Sequence, residues 1–160
     1  MRQPPTPRLH IALIEPEIPQ NTGNIARLCG ATFSSLHLVG KLGFRVDEKA
    51  VRRAGLDYWE QVDIRYHREI TDLYQSLPGS RFLFVETTGL HNYRNFSYRN
   101  EDCLVFGRET KGLPEGLIGE NVERSLRIPV PNEKIRSLNL ANCVAIVLYE
   151  ALSQIQGLEG

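Results

Sequence analysis

The sequence has little that could staple a fold or anchor it in a membrane. Its 160 residues include three cysteines, one methionine and one tryptophan. Cys29, Cys103 and Cys143 lie far apart and form no Cys-x-x-Cys pair. That spacing carries no disulfide framework, so reduced, mostly buried thiols of a cytoplasmic protein are expected. No apolar run approaches the roughly 18 residues that span a bilayer. The Pro-rich lead-in Met1–Pro7 has no apolar stretch of the kind a signal peptide needs. Nor is there an excess of either charge: 19 Lys and Arg balance 19 Asp and Glu. A net charge of zero argues against holding nucleic acid by bulk charge, but leaves room for a local basic face.

The common nucleotide and hydrolase signatures are missing as well. There is no GxGxxG and no GxSxG. Gly107 and Gly112 have the separation of a phosphate loop, but Leu113 stands where its lysine belongs. His10, His37, His67 and His91 are scattered, so none is expected to pair as a metal ligand and each reads as a surface or strand histidine. A metalloenzyme or serine hydrolase has nothing to stand on here, and no metal is expected.

What is present is an alternation of short apolar runs and helical patterns. Leu9–Ile14, Leu36–Val39, Val62–Tyr66, Arg81–Glu86, Cys103–Phe106 and Ser125–Ile128 read as strands. Two prolines mark 15–20 as a loop, after which Asn21 and Thr22 are expected to cap a helix through Ile25, Ala26 and Leu28. Asp47 can cap a short helix ending at Gly55. Ile70, Leu73, Tyr74 and Leu77 recur at helical spacing before Pro78-Gly79. Leu138, Ala141, Val144, Ala145, Leu148, Leu152 and Ile155 mark one face of a long C-terminal helix. Strands alternating with helices predict an α/β fold with a mostly parallel sheet. With no repeat, low-complexity tract or compositional break, residues 1–160 are expected to form one domain, 1–8 being its lead-in.

Three segments concentrate polar residues and glycine near strand ends, where open α/β sheets bind ligands. They are Asn21-Thr22-Gly23-Asn24-Ile25-Ala26-Arg27, then Phe106–Leu113 (FGRETKGL), then Ile128-Pro129-Val130-Pro131 with Arg136–Asn142 (RSLNLAN). Each is weak alone: the first could be a helix cap with a surface arginine, the second a turn. In this order, they resemble the three signature motifs of the SPOUT, or α/β-knot, superfamily of RNA methyltransferases. Glu15-Pro16-Glu17-Ile18-Pro19, Arg52–Tyr58 and Tyr149-Glu150-Ala151 extend the likeness to the subgroup that methylates the 2′-oxygen of cytidine or uridine 34 of tRNA.

The resemblance implies a deep trefoil knot, where connection rules alone predict an unknotted sheet. It implies S-adenosyl-L-methionine as methyl donor, tRNA (its anticodon loop) as substrate with leucine tRNAs as the expected set, and a homodimer. By motif position it points to Arg27, Asn21, Glu109, Ser137 and Asn139 for catalysis. Glu86, Thr87, Gly107, Ile128, Ser137 and Leu138 would contact the donor. Arg52, Arg53, Arg108, Lys111 and Arg136, with Lys134, would meet phosphates, and Tyr58, Trp59 and Tyr93 could stack on bases. Arg27 is a poor base because a guanidinium stays protonated, so holding a phosphate and steadying a developing alkoxide suits it better. Three other readings remain open at this point: a 2′-O-methyltransferase for another tRNA or rRNA position, a non-catalytic RNA-binding knot protein, and a small-molecule enzyme on a plain Rossmann-like sheet.

Overall fold

The computed structural model describes residues 8–45, 59–155 and 158. In chain order the elements are β1 (His10–Ile14), α1 (Pro19–Thr32), β2 (Ser35–Val39), β3 (Ile64–His67), α2 (Ile70–Ser76), β4 (Phe82–Val85), β5 (His91–Asn92), β6 (Cys103–Phe106), α3 (Leu117–Glu120), β7 (Ser125–Arg127) and α4 (Leu140–Ile155). The seven strands form one sheet in the order β3-β2-β1-β6-β4-β7-β5, with every pairing parallel. The expected α/β architecture is therefore the observed one.

β1, β2 and β6 are buried at every position, as strands covered on both faces must be; β1 and β6 accordingly read as nearly continuous apolar runs, while β2 alternates Leu36 and Leu38 with buried Ser35 and His37. On one face Ile11, Leu13, Leu36, Leu38, Leu104 and Phe106 pack with Ile25, Ala26 and Cys29 of α1 and with Val144, Val147, Leu148 and Ala151 of α4. On the other, Ala12, Ile14, Val39, Phe84 and Val105 pack with Leu73 and with Leu77, just past α2. Each fully buried Leu or Ile contributes roughly 1.5–3 kcal/mol. The chain builds outward from β1 to β3, then crosses to the other side of β1. That reversal opens a crevice at the carboxyl ends of the central strands.

Several expectations need correction. α1 begins at Pro19, inside the stretch expected to be a loop. Proline at the first helical position loses nothing, because its missing N–H would have no helical partner anyway. Asn21 and Thr22 are consequently inside the helix; the N-cap is Ile18, which offers no side-chain acceptor. Leu138 precedes α4, and Val147 and Ala151 share its buried face instead. β5 and α3 are too short for any periodicity to show. The expected helix from Asp47 to Gly55 lies outside the described residues.

The histidines are not scattered in space. Parallel register sets His10 opposite Ser35 and Ala12 opposite His37, then His37 opposite Arg65 and Val39 opposite His67. Stepping two residues per strand, His10, His37 and His67 line up on one sheet face. His10 Nε2 lies 2.8 Å from the Glu101 carboxylate, Ser35 Oγ bridges His10 Nδ1 to His37 Nε2 (3.1 Å), and His37 Nδ1 meets His67 Nε2 at 2.9 Å. A carboxylate only accepts, so every proton in the row has one place. His67 Nε2–H donates to His37, His37 Nε2–H to Ser35, Ser35 O–H to His10 Nδ1, and His10 Nε2–H to Glu101.

Burial lowers the pKa of all three rings, that of His37 to about 3, with His10 and His67 adding to the effect on it. The unfolded chain therefore binds protons that the folded chain refuses. Stability is whole above about pH 6.5 and falls as pH drops toward the folded values, and His37 alone costs about 2 kcal/mol by pH 5. Urea midpoints measured from pH 8 to pH 5 are expected to hold steady and then decline below 6.5. A flat profile to pH 5 would contradict a neutral row.

Candidate active site

Four segments leave the carboxyl ends of β1, β4, β6 and β7 and meet at one pocket of about 600 Å³. That volume suits a ligand of nucleoside size. Glycine makes the meeting possible. A Cβ on Gly107 would sit 2.0 Å from the Gly112 carbonyl carbon and 2.1 Å from the Leu113 nitrogen. The strip between them is closed by an antiparallel bridge, Arg108 N–H to Gly112 O at 2.9 Å and Gly112 N–H to Arg108 O at 2.8 Å.

Glu86, at the end of β4, props this loop from below. Its Oε2 accepts from Leu113 N–H at 2.8 Å and its Oε1 from Thr87 N–H at 3.1 Å. A carboxylate so placed is costly unless it is satisfied, and here backbone donors satisfy it.

Glu109 does for α1 what the helix cannot do for itself. Its Oε1 accepts from Glu17 N–H (2.8 Å), and its Oε2 from Ile18 N–H (2.8 Å) and the Asn21 amide (3.3 Å). The missing cap is thus supplied from 91 and 92 residues away. Asn21 Oδ1 in turn accepts from the Asn139 amide at 3.2 Å, and Asn139 Oδ1 accepts from Ala141 and Asn142 N–H as the cap of α4. One polar chain, Glu109–Asn21–Asn139, ties the three motifs together. Replacing Glu109 with alanine leaves two backbone donors and an amide unpaired at the start of α1. The expected loss is about 1–3 kcal/mol in urea unfolding.

A second set of contacts runs alongside. Glu17 Oε1 accepts from Thr110 N–H at 3.0 Å and from Thr110 Oγ1 at 2.8 Å, and the Arg136 guanidinium donates to the Thr110 carbonyl. The Thr110 donors hold the Glu17 carboxyl below its ordinary pKa. Neither Glu17 nor Thr110 stood out in the sequence as a site residue.

Asn21, Glu109, Ser137, Asn139, Glu86, Thr87, Gly107, Ile128, Leu138, Arg108, Lys111 and Arg136 all line the pocket. Arg27 does not: it is exposed, further along α1. Arg52, Arg53 and Tyr58 lie outside the described residues, as does the side chain of Trp59. Val85, Phe106, Leu113, Leu140 and Cys143 supply apolar wall that was not foreseen as site. Burial pushes the Cys143 thiol up to about 11, so it is protonated at neutral pH and is no nucleophile. The wall thus carries apolar side chains, loop backbone and charges of both signs, a setting for a ligand with an aromatic part and a zwitterionic part. Among the described residues no group of His, Cys, Asp and Glu could hold a metal, and no helix is long and apolar enough to cross a membrane.

Comparison with known proteins agrees with this geometry. A Bacillus subtilis protein named provisionally as a tRNA (cytidine(34)-2′-O)-methyltransferase is 49% identical over 91% of this chain and 92% of its own. The tRNA (cytidine(34)-2′-O)-methyltransferase of Yersinia pestis is 42% identical over 92% of this chain and 94% of its own. A solved structure concerned with 2-OH methylation of C/U34 on tRNA superposes with a TM-score of 0.84 at 42% identity, covering 92% of this chain and 95% of that one. The AdoMet-bound rRNA methyltransferase of Sinorhizobium meliloti superposes with a TM-score of 0.80 at 27% identity, covering 94% of this chain and 58% of that one. Residues 8–149 match the SpoU rRNA Methylase family, and the chain belongs to it.

Proposed function

We propose that the chain is an S-adenosyl-L-methionine-dependent tRNA methyltransferase acting on the 2′-hydroxyl of nucleotide 34, cytidine or uridine. One observation carries the reading: all three motifs, separated by up to 118 residues in sequence, close around a single pocket at the strand ends. The names of relatives 42–49% identical support the choice of substrate.

The pocket fits the donor on its own terms. Gly107 and Gly112 hold backbone where a Cβ would collide with neighbouring protein atoms, and Val85, Phe106, Ile128, Leu138 and Leu140 offer apolar surface for a base. When bound, S-adenosyl-L-methionine supplies a methyl group activated by its sulfonium. The chain's part is then positioning and charge. Glu86 and Gly107 shape the floor, the Glu109–Asn21–Asn139 chain fixes the rim, and Arg27 holds a phosphate and steadies charge developing on the ribose oxygen. Placing the reactants in line can supply several kcal/mol of barrier reduction.

Arg27 is exposed and lies outside the pocket of its own subunit, which supports a homodimer that sets α1 of one protomer beside the pocket of its partner. Sedimentation equilibrium tests this. The close passage of Gly89 against the Leu126 backbone, two segments far apart in sequence, supports the threading of a trefoil knot. Arg108, Lys111 and Arg136 at the rim are proposed phosphate contacts despite zero net charge.

The experiment is nucleoside mass spectrometry of tRNA from cells with and without this protein. The 2′-O-methyl mark at position 34 is expected to disappear, foremost in leucine tRNAs. Loss of a mark at another position would redirect the assignment. Unchanged RNA, together with no methyl transfer by the purified protein, would leave only an RNA-binding role.

A further inference from the structure

The two loops that frame the pocket grip each other twice, in opposite directions. Glu109 reaches from the β6 loop to the backbone N–H groups of Glu17 and Ile18. Glu17 reaches back from the β1 loop to the backbone N–H and hydroxyl of Thr110. Each carboxylate thus binds the residue that carries the other carboxylate or its direct neighbour. The pattern is the reciprocity of a helix capping box, transposed onto two segments more than 90 residues apart.

We propose that Glu17 is a positioning residue: by gripping Thr110 it holds the 107–112 strip in its donor-binding shape and sets the direction of Arg136. Three observations carry this. Glu17 does not line the pocket, so its effect on a ligand passes through neighbours: Thr110, which its carboxylate grips, and by charge alone the pocket-lining Arg108 and Lys111, a route the glutamine variant separates. Thr110 stands midway along the strip closed by the Arg108–Gly112 bridge, with Glu109, Lys111 and Gly112 of the same strip lining the pocket. The Thr110 carbonyl accepts from Arg136, so a shift of Thr110 is passed to the third motif as well. Both Glu17 contacts fall on one oxygen, Oε1, so a single acceptor in the right place is sufficient.

That last point makes the proposal testable by rescue. Glu17→Ala removes the acceptor, whereas Glu17→Gln keeps one carbonyl oxygen for Thr110, loses the charge and turns the other oxygen, which makes neither Thr110 contact, into an NH2. The inference rests on the donor-binding reading of the pocket, so binding and turnover are measured separately. S-adenosylhomocysteine binding is followed by calorimetry, and methyl transfer by the KM for the donor and kcat. Glu17→Ala is expected to weaken S-adenosylhomocysteine and raise donor KM on the order of tenfold. Glu17→Gln is expected to recover most of that, and Thr110→Val, which keeps the N–H and loses the hydroxyl, to fall between. If Glu17→Ala lowers the urea midpoint but leaves affinity and donor KM within about twofold, Glu17 only stabilises the fold; if Gln is no better than Ala, Glu17 acts by its charge and not by its grip on Thr110; either result overturns the proposal. If the unaltered protein binds no S-adenosylhomocysteine at all, the proposed function fails instead.

Discussion

Replacing Arg27 with alanine lowers methyl transfer on the order of 10²- to 10³-fold and leaves S-adenosylhomocysteine affinity within about twofold. The separation follows from where Arg27 stands. It is exposed on α1 and does not line the pocket of its own subunit, and in the proposed dimer it stands beside the partner's pocket, where the RNA enters, rather than among the residues that would enclose the donor. What it can reach is the RNA. A guanidinium offers five donors in a fixed fork and keeps its charge at any working pH, which suits a phosphate or a developing alkoxide and disqualifies it as a base. Lysine keeps the charge and loses the fork, so Arg27→Lys is expected to retain no more than about a tenth of the activity. Single-turnover transfer of a labelled methyl group, beside calorimetry of S-adenosylhomocysteine, reads both numbers. Unaltered activity in Arg27→Lys would show that charge alone suffices and that the fork geometry is irrelevant.

The second large effect is expected from one methyl group. Gly107→Ala places a Cβ 2.0 Å from the Gly112 carbonyl carbon and 2.1 Å from the Leu113 nitrogen. Both are backbone atoms, so no side chain can swing away. Relief requires the strip to move, which opens the Arg108–Gly112 bridge and draws Leu113 N–H from Glu86. The expected result is a loss of about 2–4 kcal/mol in stability and of about 100-fold or more in donor affinity. Gly112→Ala is expected to be milder in its collision, because the atom it meets at 2.3 Å is the end of the Glu86 side chain, though its φ of +67° adds backbone strain. Gly79→Ala is the control: a Cβ there meets nothing within 4 Å, and affinity and stability are expected to stay put.

How much of this was readable beforehand differs from element to element. β1 and β6 are legible as nearly continuous apolar runs, and β2 from Leu36, Leu38 and Val39. The pocket residues were legible because three glycine- and amide-bearing segments keep recognisable spacing. The start of α1 is not legible because its cap is not local. Asn21 looks like a cap and instead bridges Glu109 to Asn139, a bond set by tertiary packing. Glu17 stood within a segment noted for its resemblance, yet a carboxylate between two prolines says nothing of a partner 93 residues away. The histidine row was hidden for a similar reason. Each ring occupies an ordinary strand position, and only the parallel register brings them together.

The borrowed cap on α1 also bears on how the molecule is made. During vectorial synthesis Ile18 and its helix emerge early, but the carboxylate that terminates them is encoded some 90 residues later. Until that stretch has left the ribosome and docked, the Glu17 and Ile18 amides at the head of the nascent helix have no side-chain acceptor of their own. Native-like order at the beginning of the chain therefore waits on its second half, and a ribosome-bound fragment stalled before Glu109 carries an amino-terminal helix that frays. Such long-range dependence ties folding to slow, non-local closure rather than to rapid local zipping.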